Sequence, residues 1–162
     1  MLEDILRQVR TVLQNQLPAK LDQIELERAD GVTLDDIRSF FLQGEYKGSR
    51  YTYPNVAIMG GSTTGTNASL PPSPRRELRH RISIWVTDRV VAPDSELPLS
   101  RLWRYVEAIE RILTSDLSLG GKATWLEVTK HGYYPHHKER EEFVRKAILD
   151  VEVLERISTS NY

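Results

Sequence analysis

The run Leu78-Arg79-His80-Arg81-Ile82-Ser83-Ile84-Trp85-Val86-Thr87-Asp88 alternates without a break. Leu78, His80, Ile82, Ile84 and Val86 fall on one side of an extended chain. Arg79, Arg81, Ser83, Trp85 and Thr87 fall on the other, which predicts a strand with one face on a core and one face on water. A second long strand is predicted over Phe143 to Ile157, with Ala147, Leu149, Val151 and Val153 on one side and Lys146, Asp150 and Glu152 on the other. Shorter candidates are Lys122 to Lys130, around Leu126 and Val128, and Pro54 to Gly61, entered by proline and closed by Gly60-Gly61. The connections between consecutive strands are too short for crossover helices, so antiparallel pairing is expected.

Two stretches carry the helical period instead. Leu2, Ile5, Leu6, Val9, Val12, Leu13 and Leu17 recur at three- and four-residue spacing, and Pro18 is expected to stop that helix. The second helix is expected from about Pro98 to Leu113, with Leu99, Leu102, Trp103, Val106, Ile109 and Leu113 as its apolar stripe and Ala108 in the gap. Arg101, Arg104 and Arg111 fall on its other side, and Glu107 stands four residues before Arg111, the favourable order for a helix-surface ion pair. Ser115 to Gly121 turns the chain. The fold class is therefore α+β: an antiparallel or mixed sheet of about four strands with two main helices on one face, built as a single domain over residues 1–162.

Three segments read less simply. Gln23-Ile24-Glu25-Leu26-Glu27 alternates like a strand with one wet face. Thr33-Leu34-Asp35-Asp36 fits a capping box for a short helix carrying Ile37, Phe40 and Phe41, while Ile37 to Leu42 fits an aromatic strand equally well. Residues 60–75, GGSTTGTNASLPPSP and the arginine after it, hold Leu70 as their one large apolar side chain, so a long flexible loop between two strands is expected.

The chain has 22 Lys and Arg against 23 Asp and Glu, a formal charge of -1, which argues against a protein built to neutralise a long phosphate tract. It has no cysteine, so disulfides, thiolate metal sites and cysteine nucleophiles are excluded, in keeping with a reducing compartment. No apolar run approaches the ~20 residues that span a bilayer. Met1-Leu2-Glu3-Asp4 lacks the basic start of a signal peptide.

Catalytic chemistry finds little to work with. Gly60-Gly61-Ser62-Thr63-Thr64-Gly65-Thr66 lacks the lysine and following helix of a phosphate loop. His131, His136 and His137 follow no metal-ligand spacing, and His80 faces the core side of its strand. Ser62 and Ser69 sit in no Gly-x-Ser-x-Gly elbow. The carboxylate pairs Asp35/Asp36 and Glu141/Glu142 read as solvated surface. No enzyme, metal or cofactor is expected. The arginines are the more informative charges: Arg75, Arg76, Arg79 and Arg81 fall within seven residues and repel one another unless something opposes them. Together with Arg101, Arg104 and Arg111 they are the candidate contacts to another subunit, a connector or DNA.

From His80 onward the order of features resembles the tail-terminator, or tail-completion, neck proteins of long-tailed bacteriophages. The carrying residues are His80-Arg81-Ile82-Ser83-Ile84-Trp85-Val86, Leu102-Trp103-Arg104-Tyr105-Val106-Glu107-Ala108-Ile109, the Leu117-Ser118-Leu119-Gly120-Gly121 turn, the Tyr133-Tyr134 loop, and Phe143 to Val153. The likeness covers about half the chain, and before Asn55 only the order of elements matches. It implies a structural protein of the virion tail or neck, assembled in the host cytoplasm, whose subunits form a ring, typically a hexamer. Such a ring caps the major tail tube protein, joins the head connector or adaptor, and makes non-specific contact with DNA passing through it. A head-completion adaptor is the alternative within the same class, and a small nucleic-acid-binding regulator the alternative outside it.

Overall fold

A computed structural model describes residues 1–42, 52–67, 75–90, 97–135, 137–139 and 142–158. The elements are α1 (Leu2–Arg28), β1 (Ser39–Leu42), β2 (Asn55–Asn67), β3 (Arg75–Arg89), α2 (Leu97–Ser115), β4 (Trp125–Tyr133), β5 (His137–Glu139) and β6 (Glu142–Ser158). The sheet is mixed and six-stranded, in the order β1-β2-β3-β6-β4, with β5 pairing β6 beyond the end of β4. Only β1 and β2 run parallel; every other pair is antiparallel.

The long alternating strands dictate the core. Cross-strand neighbours Val56 and Val86, Ile58 and Ile84, Ile82 and Val151, and Leu126 and Val153 put one face of the sheet into a single apolar cluster. Both helices roof that face, α1 through Ile5, Val9, Leu13, Leu17, Leu21 and Ile24, and α2 through Leu102, Tyr105, Val106, Ile109, Ile112 and Leu113. The opposite face keeps Met59, Arg79, Arg81, Trp125 and Glu127 exposed.

Several expectations change. The sheet has six strands rather than about four, because β1 and β5 are too short to give a period. Pro18 does not stop α1, which continues through it to Arg28. Pro18 is exposed, so the Gln14 carbonyl that loses its amide partner lies on the wet side, while Leu17, Leu21 and Ile24 extend the buried stripe past it. Burying those side chains, at roughly 1.5–3 kcal/mol each, outweighs the ~3 kcal/mol cost of an interior proline. The apparent strand Gln23 to Glu27 is the last part of α1: Ile24 is buried and Leu26 is 81% exposed, as helical geometry requires two residues on.

Asp35 and Asp36 cap no helix; of the two options for the following residues, the strand is the one formed, as β1. Gly60-Gly61 does not close β2, which runs on to Asn67 through an irregularity between Gly60 and Thr63. The supposed loop over 60–75 is thus strand from 60 to 67 and again at Arg75, and residues 68–74, including Ser69 and Leu70, lie outside the described residues. On α2, Trp103 is 50% exposed while Ala108 is fully buried, because α1 packs beside α2 and turns the buried arc toward Tyr105, Ala108 and Ile112. Tyr133 belongs to β4 rather than to a loop. His136 and Glu141 lie outside the described residues.

Candidate functional site

The strand period divides the arginine cluster between two sides of β3. Arg76 shares the side of Leu78 and His80, beyond the helical roof, and its guanidinium lies over the backbone of Gly65: a Cβ there would stand 2.6 Å from Nη2. Arg79 and Arg81 project from the open face. Arg75 opens β3 opposite Ser158. The pleat thus sets Arg76 apart from Arg79 and Arg81.

Carboxylates offset part of the arginine charge. Arg79 Nη1 donates to Glu152 Oε1 at 2.7 Å, and Arg156 Nε donates to Glu77 Oε1 at 3.0 Å. Arg81 has no ion-pair partner among the described residues. It borders a cleft of about 410 Å³ that crosses the open face from Gly61 and Ser62 on β2 to Thr129 on β4. On the far side of that face, Glu127 stands opposite Glu152, two acids in one cross-strand pair.

The α2 arginines are engaged within the chain itself. Arg101 donates from Nε to buried Asp88 at 3.1 Å, and from Nη2 to Asp35 at 3.1 Å and to the Tyr105 hydroxyl at 3.2 Å. The Tyr105 hydroxyl in turn donates to the Asp35 backbone carbonyl at 3.0 Å. Burial pushes the Asp88 carboxyl upward in spite of the Arg101 charge, and burial, helped by Asp88, pushes the Tyr105 phenol upward. Arg104 forks onto Asp30, with Nη1 to Oδ1 at 2.9 Å, and this contact pulls the Asp30 carboxyl down to about 2. Arg111 bridges Glu27 at 2.8 Å and Glu107 at 2.7 Å, the second being the pair expected from their spacing, and Glu107 also takes Arg28 at 2.8 Å. These three side chains seam α2 to α1 and to the segment before β1. Any outside contact has to share them with those carboxylates.

His80 is fully buried and bonded at both ring nitrogens. Nδ1 meets Thr63 Oγ1 at 2.9 Å and Nε2 meets Glu155 Oε2 at 2.9 Å. A carboxylate only accepts, so in the neutral ring Nε2 carries the proton and Nδ1 accepts from the Thr63 hydroxyl. The chain Thr63-His80-Glu155 ties β2, β3 and β6 together at the first paired residue after the β2 irregularity. With its ring shut off from solvent, His80 is placed to hold strands in register rather than to shuttle protons to a substrate. Among the other histidines, His131 Nε2 lies 3.0 Å from Glu110 on α2. Among the described residues no group of three or more His, Cys, Asp or Glu is placed to hold a metal ion. No helix of the described residues is long and apolar enough to cross a membrane.

Sequence reasoning missed Glu127, Glu152 and Asp88. Each was visible as a charge on a strand, yet what it faces depends on the register between strands distant in sequence. Comparison with family models and with curated proteins returns no match. One solved structure aligns over 88% of this chain and 94% of its own, with 13% identity and a TM-score of 0.36, too slight a likeness to carry an argument.

Proposed function

We propose that this chain is a structural subunit of a phage tail or neck, resembling the tail terminators, which assembles into a closed ring, typically of six copies, between tail tube and head connector. The observation that carries this reading is the one-sided roofing of the sheet. Both helices cover one face, whereas the other face, with Arg79, Arg81, Met59, Trp125 and Glu127 exposed, has no covering element among the described residues. A subunit of a cyclic ring needs two different surfaces for its two neighbours, and an open sheet with unlike margins supplies them. The extent of the sheet favours a terminator over a mainly helical adaptor. The engagement of Arg101, Arg104 and Arg111 inside the subunit weighs against a DNA-binding regulator that would need them free. In this reading the protein works by shape in the virion, and contact with DNA in the ring is non-specific.

Native mass spectrometry and negative-stain electron microscopy of the purified chain test it. Closed rings with one dominant stoichiometry, near six, are the expected result. A strictly monomeric species at assembly-like concentrations overturns it.

A further inference from the structure

Four strands make up the end of the sheet where β6 finishes: β2 from Gly61 to Asn67, β3 from Arg76 to Ile82, β6 from Val151 to Ile157, and β4 from Trp125 to Val128. Farther along, β1 covers the outer edge of β2, but its register ends with Leu42 opposite Ile58. The outer edge of Gly61 to Asn67 therefore has no neighbouring strand among the described residues, and neither does the outer edge of β4. The β2 stretch Gly61-Ser62-Thr63-Thr64-Gly65-Thr66-Asn67 carries no charge and no proline, two of the devices that keep an edge from pairing; the third, a bulge, is confined to its start, between Gly60 and Thr63. Gly61 is confined to glycine by its own neighbour, since a Cβ there would lie 2.9 Å from the Arg81 carbonyl oxygen. Beside Arg81 this margin of the sheet therefore carries only the small Ser62 side chain.

Direction and charge both match the opposite margin. Three successive antiparallel pairings make β2 and β4 run in opposite senses. A β4 edge laid against β2 of another copy continues the sheet as antiparallel, and the same step repeats from copy to copy until the ring closes. Arg81 and Glu127 also stand in one transverse row, both paired to Glu152 from its two sides. Arg81 is a cation with no ion-pair partner among the described residues, because Glu152 takes Arg79 instead. Glu127 stands opposite Glu152, whose cation is Arg79, and has no ion-pair partner of its own among the described residues. Strands in a sheet lie about 4.8 Å apart, so a glutamate on a neighbour's β4 can meet the Arg81 guanidinium across one intervening strand at the position where Gly61 has no side chain.

We propose that copies of this chain join edge to edge, the Gly61–Asn67 edge of β2 in one copy pairing antiparallel with the β4 edge of the next, with Arg81 of the first reaching Glu127 of the second. The inference rests on the ring reading and names the surface through which the ring forms. It is a heterologous contact, so it propagates from copy to copy rather than closing a pair.

The test compares Arg81→Glu, Glu127→Arg and the combined exchange by native mass spectrometry and light scattering on the full chain, with circular dichroism as the check on folding. Each single exchange is expected to weaken association about tenfold or more, and the combined exchange to restore it to within a few-fold. Because the chain has no cysteine, a second readout is clean: Thr64→Cys chains mixed with Trp125→Cys chains, whose two positions share one transverse row, should cross-link to each other through a short bis-maleimide, and neither should cross-link to itself. Rings that form normally in all three charge variants, with no cross-link between the mixed chains, overturn this interface while leaving the ring reading standing. Self-cross-linking of either cysteine variant overturns the heterologous contact. A wild-type chain that stays monomeric brings down both.

Discussion

Asp88 is 2% exposed at the end of β3, and its only cation among the described residues is Arg101, reaching over from the first turns of α2. Its raised carboxyl means that burial costs the charged form more than Arg101 returns. Protons are then bound more readily in the folded chain than in the unfolded one, so this group's contribution to stability falls as pH rises through the carboxylate range. Arg101→Ala removes the partner and leaves the acid in place. The expected loss near neutral pH is about 2–3 kcal/mol, below the ~3–5 kcal/mol of a fully buried broken pair because the Arg101 side chain keeps 22% of its exposure. Denaturant unfolding should find that deficit shrinking as pH falls through the carboxylate range and Asp88, its carboxyl raised, takes up a proton and no longer needs a cation. A deficit that is constant or grows in acid would show that Arg101 acts through packing alone.

Elements are decided by how much apolar surface their period can bury, and α1 is the instructive case. A proline eighteen residues in is a sound reason to end a helix when only the first stripe is considered, but Leu21 and Ile24 continue the same stripe on the other side of it. Because the proline sits on the wet face, its whole cost is local, and Pro18→Ala should recover part of it. We expect a gain of about 1–3 kcal/mol, read as a higher melting temperature with an unchanged circular-dichroism spectrum. A lower melting temperature would mean that the bend imposed by proline is needed for α1 to follow the sheet. The long strands β3 and β6 and the roof of two helices were legible because their periods run for many residues. The distal half of β2 was not, since Gly61 to Asn67 has no apolar alternation, and what makes it a strand is the neighbouring β3 edge. The arginines show the same division. Their number and spacing could be read directly, and so could the Glu107–Arg111 pair, whereas the other carboxylates that occupy Arg79, Arg101, Arg104 and Arg111 come from other elements, which only the tertiary fold brings near.

At the scale of the whole molecule, the proposed ring and the alternative of a DNA-binding regulator differ in how many cations are left for phosphate. The formal charge is -1, and the fold uses most of its candidate cations on its own acids. Of the seven arginines singled out from the sequence, Arg76 and Arg81 are the ones whose described side chains have no carboxylate partner, and they project on opposite sides of β3. A duplex cannot lie along both at once. Each phosphate neutralised contributes about -0.9 to the slope of log K against log salt, so one or two contacts per subunit give a slope of roughly -1 to -2, against -6 or steeper for proteins that make six or more contacts. A filter-binding titration of the isolated subunit with duplex DNA, between 50 and 200 mM salt, should therefore give weak binding with a slope shallower than about -3. A slope of -6 would mean that the α2 arginines abandon Asp30, Asp35 and Glu27 for phosphate, and it would move the regulator reading ahead of the ring. A shallow slope keeps the proposed ring contacts, on the exposed sheet face and the two edges left open among the described residues, ahead of the regulator reading.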